Sequence, residues 1–174
     1  MKKLVSIILV TLSVFLLFSC KSENPEVPEK DEEKVDFTSD FDVEKVSAKL
    51  LEAEPLADGI VYTDESSPSI SDVFAIYFGI DFPADDISSC IFITSSDAHV
   101  SEAAVFKVTN KETADALLKA FHERQKNLIQ IHTNYDQNDL SISENLDMGS
   151  FDDVVYYTAT DSNKDIVDII KNTK

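Results

Sequence analysis

The chain has 174 residues, 15 basic against 33 acidic, and a formal charge of −18. Such a charge repels the phosphates of nucleic acid and of anionic lipid, so neither is expected as an electrostatic partner. With three glycines and no tryptophan, glycine-rich phosphate loops and dinucleotide fingerprints are excluded.

The first twenty residues read as an address. Met1-Lys2-Lys3 is a basic start, and Leu4 to Phe18 is an apolar run of 15 residues. As a helix that run reaches roughly 22 Å, short of the hydrocarbon core of about 30 Å. It suits the apolar part of a cleaved signal rather than a permanent span. Leu17-Phe18-Ser19-Cys20 closes it with a small residue and then a cysteine, the order of a bacterial lipoprotein signal. Residues 1–19 are therefore expected to be a signal peptide, with Cys20 lipidated. Acyl chains on Cys20, more than one because a single chain binds only marginally, would hold the protein at the cell membrane on its extracytoplasmic face. Removing Lys2 and Lys3 with the signal takes the charge to −20. Cys90 is the one other cysteine, so with Cys20 acylated no intramolecular disulfide can form.

Residues 21–36 carry seven acidic and three basic residues, with Pro25 and Pro28 and almost nothing apolar. This composition predicts a disordered tether over 20–40, followed by a single α+β domain over 41–174. Val43, Val46 and Leu50 predict a helix over Val43 to Ala53, capped by Asp40 or Asp42 and ended by Pro55. A loop is expected over 54–69. Ser69-Ile70-Ser71-Asp72 is a capping-box pattern, and Ile70, Val73, Phe74, Tyr77 and Phe78 follow at helical spacing until Gly79 stops the helix.

Ser89 to Thr94 and Ala103 to Thr109 read as strands joined by the polar stretch Ser95 to His99. Thr109-Asn110-Lys111-Glu112 is another capping box. It opens a helix of about 20 residues whose buried stripe is Ala114, Leu117, Leu118, Phe121, Gln125 and Leu128. Residues 133–150 read as a polar connection with a short helical turn near Leu140 to Leu146. Val154 to Ala159 is a third strand. Ser162 to Asp165 caps a last helix with Ile166, Ile169 and Ile170 inside. The expected order is ααββαβα, a small, mostly antiparallel three-stranded sheet packed by helices in a two-layer sandwich.

Several stretches resemble the bacterial lipoprotein family known as Domain of Unknown Function 4358. They are Ala75-Ile76-Tyr77-Phe78-Gly79-Ile80, then Ser101 to Lys107, then Phe121-His122-Glu123-Arg124-Gln125. Tyr135 and the strand Val154-Val155-Tyr156-Tyr157 complete the set. Phe78 interrupts the family's usual Tyr-Gly step. The resemblance implies an anchored extracytoplasmic α+β domain and brings no catalytic residues with it.

The chemistry-bearing groups have bland readings beside the sharp ones. His122-Glu123-Arg124-Gln125-Lys126 lacks the second imidazole of a helical zinc motif and carries Lys126 in its place. Asp136-Gln137-Asn138-Asp139 begins like a calcium loop, but Ser141 stands where glycine is needed and Asp147 where the bidentate glutamate belongs. No metal ligands and no cofactor are assigned. Cys90 could pair with His99, His122 or His132 as a nucleophile, yet it sits in an apolar strand where cysteine behaves as a small hydrophobe. Asp85-Asp86 and Asp152-Asp153 are adjacent pairs of the kind that cap helices or stay solvated. Glu102, Lys107 and Arg124 combine charge with the resemblance. They are expected either to meet a ligand carboxylate or to form an internal ion pair, Arg124 with Glu102 or a nearby aspartate. The function expected is a non-catalytic, lipid-anchored binding or protein-interaction module. The alternatives are an accessory subunit of an envelope transporter or wall-synthesis complex with an envelope protein as partner, and then an envelope enzyme.

Overall fold

Two apolar clusters lie on opposite faces of one sheet. The computed structural model describes residues 37–173, so the signal, Cys20 and most of the expected tether lie outside the described residues. Among these residues the chain forms five α-helices and five strands. They are α1 (Val43–Leu50), β1 (Ile60–Tyr62), α2 (Ile70–Phe78), β2 (Ile87–Thr94), β3 (Glu102–Val108), α3 (Lys111–His132), α4 (Gln137–Glu144), β4 (Asp147–Phe151), β5 (Val154–Ala159) and α5 (Asn163–Asn172). The sheet is antiparallel throughout, in the order β1-β2-β3-β5-β4.

The helices begin and end where local chemistry dictates. Asp42 caps α1 by accepting the Lys45 N–H at 3.1 Å. The Ser69 N–H donates to the Asp72 carboxylate at 2.9 Å, the returning half of a capping box. Gly79 ends α2 at φ 73°, a left-handed conformation that costs glycine nothing. Asn110 caps α3 through the Thr113 N–H at 2.9 Å, one residue later than the Thr109 the sequence suggests.

Three expectations are corrected. The sheet has five strands rather than three, because short edge strands flank the three that were read. β1 lies inside the expected loop over 54–69, and β4 begins inside the polar connection expected over 133–150 and ends just past it. The latter also holds α4, two turns long rather than one. The order ααββαβα therefore becomes αβαββααββα. The third correction concerns the layers. Cys90, Phe92, Ala104, Phe106, Val155 and Tyr157 pack with α2, α3 and α4. Their strand neighbours Ile91, Ile93, Ala103, Val105, Val154 and Tyr156 pack with α1 and α5. The result is three layers, helices on both faces, where two were expected. The reason is visible in β5, whose residues are all buried: a strand covered on both sides is apolar nearly throughout instead of alternating, with Thr158 the one polar residue of β5.

Candidate functional site

Glu102 opens β3 and Lys107 sits five residues on, so strand alternation sends them to opposite faces. On the α3 face, Arg124 grips Glu102 with both arms of its fork. Nε donates to Oε2 at 3.1 Å, and a second nitrogen donates to Oε1 at shorter range. The Tyr157 hydroxyl donates to the same Oε2 at 3.1 Å. The guanidinium also lies 5.1 Å from the centre of the Tyr77 ring, within cation–π range. Only 13% of the Arg124 side chain and 5% of the Glu102 side chain face solvent. Burial works against the guanidinium's charge, but the hydrogen bond and charge of Glu102 outweigh it and raise the Arg124 pKa. Burial, followed by the Glu102 charge, lifts the Tyr157 phenol well above its ordinary range. The arrangement is an internal ion pair, the second of the two readings open to Glu102 and Arg124.

Lys107 belongs to a different network. Its ammonium donates to the carbonyls of Ser39 at 2.6 Å and Phe41 at 3.3 Å. It lies 3.7 Å from Asp153, whose side chain is fully buried. The Ser39 N–H donates to Asp153 at 3.0 Å. Of the pair Asp152-Asp153, Asp152 is exposed at φ 46°, a conformation aspartate tolerates. Asp153, expected to cap a helix or stay solvated, instead staples the incoming chain to the hairpin. Ser39 is thus part of the ordered body, ahead of residue 41.

Cys90 is buried, and its Sγ donates to Asp64 at 3.6 Å instead of meeting an imidazole. Burial first, and then the Asp64 charge, push the thiol pKa far up. The thiolate a nucleophile requires is therefore disfavoured at neutral pH. Thiol reagents are expected to label Cys90 only as fast as the domain opens, and Cys90→Ala to cost about 1 kcal/mol. The folded thiol titrates above the unfolded one, whose ordinary value is about 8.5. Its stabilising contribution is complete below that pH and is lost as pH rises toward the folded value. Labelling within seconds under native conditions would refute the structural role.

His122 and Lys126 are exposed, and Lys126 pairs with Glu123 at 2.7 Å. The Asp136 run is a helix start. Asp136 Oδ1 accepts the N–H groups of Asn138 at 2.8 Å and Asp139 at 3.0 Å, and those bonds hold its pKa below the ordinary value.

The fold assembles one cluster that sequence reading left scattered. Asp139, 1% exposed, points into the junction of α3, α4 and the loop between β2 and β3. Its Oδ1 accepts the Val100 N–H at 3.2 Å. Its Oδ2 lies 3.3 Å from His99 Nδ1 and 3.6 Å from His132 Nδ1. His132 is 6% exposed, and its Nδ1 has no hydrogen-bond partner. Ligand atoms of His99, Asp136 and Asp139 all lie within 4.8 Å of one another. The signal in the sequence was faint: His132 is the last residue of α3, with Asp136 and Asp139 at the next two helical steps, and His99 is 40 residues from Asp139.

A groove of about 620 Å³ opens between α4 and the start of α5. Asn138, Ser141, Asn145, Thr160, Lys164 and Asp165 line it, with Ile142 as its apolar member. Asn163 shapes its floor by donating to the Asn145 carbonyl at 2.9 Å and accepting the Thr160 N–H at 2.8 Å.

A family model described as Domain of unknown function (DUF4358) matches residues 69–160, more than half of the chain. The chain belongs to that family. No curated protein and no solved structure matches it. The DUF4358 span runs from α2 through β5. It includes Glu102, Lys107, Arg124 and the Asp139 cluster, while α1, β1 and α5 lie outside it.

Proposed function

We propose that this chain is a lipid-anchored, extracytoplasmic, non-catalytic binding module that takes a polar ligand or a protein partner in the groove between α4 and α5. The groove carries the reading. Its walls present amides, hydroxyls, a lysine and carboxylates, a set suited to recognition through hydrogen bonds. Two groups that a reaction could draw on are engaged elsewhere, Arg124 with Glu102 and Cys90 with Asp64. For the anchor, the support is the run Leu17 to Cys20. Among the described residues no helix is long and apolar enough to cross a membrane. A second reading, an accessory subunit of an envelope assembly, draws on Ile131 and Tyr135 near the end of α3, which are 58% and 76% exposed.

The test uses the full chain in its native membrane. A photo-crosslinking residue at Lys164 is expected to give discrete adducts, one at Lys49 on α1 to give none, and Cys20→Ala to abolish the Lys164 adducts by releasing the protein. Equal yields from the two positions, or none from Lys164, would remove the groove as the binding face. Adducts confined to a residue at Tyr135 would favour the accessory subunit.

A further inference from the structure

We propose that His99, Asp136 and Asp139, whose ligand atoms lie within 4.8 Å of one another, form with the buried His132 beside Asp139 a binding site for a divalent transition-metal ion of the zinc class. The geometry carries the assignment. Two ligands about 2.0–2.2 Å from one tetrahedral ion stand roughly 3.3–3.6 Å apart. Asp139 Oδ2 stands 3.3 Å from one imidazole nitrogen and 3.6 Å from the other. The independent observation is His132, a buried imidazole whose Nδ1 has no hydrogen-bond partner and faces that carboxylate. Buried polar atoms are rarely left unmatched, and a metal ion is a partner this nitrogen can take.

The surroundings fit. Asp139 Oδ1 is held by the Val100 N–H, which leaves Oδ2 oriented for an ion, as supporting hydrogen bonds do around metal ligands. Asp136 spends Oδ1 on capping α4 and keeps its second oxygen available. The His99 side chain is 67% exposed, so it can swing to close the set and gives the ion a route in from solvent. The start of α4 opposes a cation with about half a positive charge, less than the two carboxylates supply. Calcium and magnesium prefer shells built of oxygen, whereas two imidazoles select zinc and its neighbours.

Zinc titration of the full chain, with calcium as competitor, tests the site independently of any partner in the groove. One zinc per chain is expected, insensitive to millimolar calcium and accompanied by a higher melting temperature. His99→Ala and His132→Gln are each expected to weaken binding at least about tenfold. Since His99 is exposed, His99→Ala keeps the test decisive even if a change at His132 disturbs folding. Several weak sites emptied by calcium, or zinc binding that His99→Ala leaves unchanged, would overturn the proposal and mark the four groups as an internal ion-pair cluster.

Discussion

Replacing Arg124 by alanine is expected to destabilise the domain by about 3–5 kcal/mol, the range for breaking a buried pair from one side. The magnitude follows from what is left behind. Glu102 is 4% exposed and would keep the Tyr157 hydroxyl at 3.1 Å while losing both bonds from the guanidinium. A carboxylate stranded there must protonate or draw in water, and each route costs stability. Arg124→Lys should restore only part of the loss, because a single ammonium cannot reproduce the two-armed grip or its stacking over Tyr77. Removing both charges together, Arg124→Met with Glu102→Leu, should be far milder than either single change. Urea unfolding of the variants decides the matter. A loss for Arg124→Ala under about 1 kcal/mol, the level of exposed pairs, would mean that the pair is solvated and free to serve a ligand.

Phe78→Ala is expected to cost a similar 3–5 kcal/mol. Phe78 is 2% exposed, and its ring centre lies 4.8 Å from that of Phe74, 5.1 Å from Phe92 and 5.4 Å from Phe121. It therefore joins α2, the sheet and α3 in one aromatic cluster. Truncation removes a ring that touches three elements, and a close-packed interior cannot collapse around the void. Phe78→Leu should recover most of the loss. Phe78→Tyr would bring a hydroxyl among apolar rings and should recover less than leucine does. Tyr157 lies 6.2 Å from Phe78 and also bonds Glu102, so the Phe78 and Arg124 changes share a neighbour. Their costs should fail to add, which a double-mutant cycle in urea would reveal. A loss near zero for Phe78→Ala would show that the cluster is loosely packed.

What was legible in the sequence follows the range of each interaction. The Ser69 cap, the Gly79 stop and the long helix after Asn110 rest on groups within four residues of one another, so the string of letters contains the whole interaction. The three inner strands were legible because buried strands are continuously apolar. The same continuity in Ala103 to Phe106 and Val154 to Ala159 also signalled cover on both faces, which a two-layer reading ignored. Ile60–Tyr62 and Asp147–Phe151 were missed because an edge strand is defined by the neighbour that bonds it. Three residues are too few to show a period, and Asp147-Met148-Gly149-Ser150-Phe151 has too little apolar content to announce a strand.

By itself, the sequence determined the α+β class, the start and stop of α2, the three inner strands and the two choices open to Arg124. The tertiary structure alone decided which choice held, by setting α3 across β3 so that Glu102 meets a fork 22 residues away. It alone placed Ser39 on Asp153 across 114 residues and gathered two histidines around Asp139. The physical reason is that a charge buried by distant packing has few permitted partners. The backbone path that selects the partner is fixed by the core as a whole and by no local run of residues.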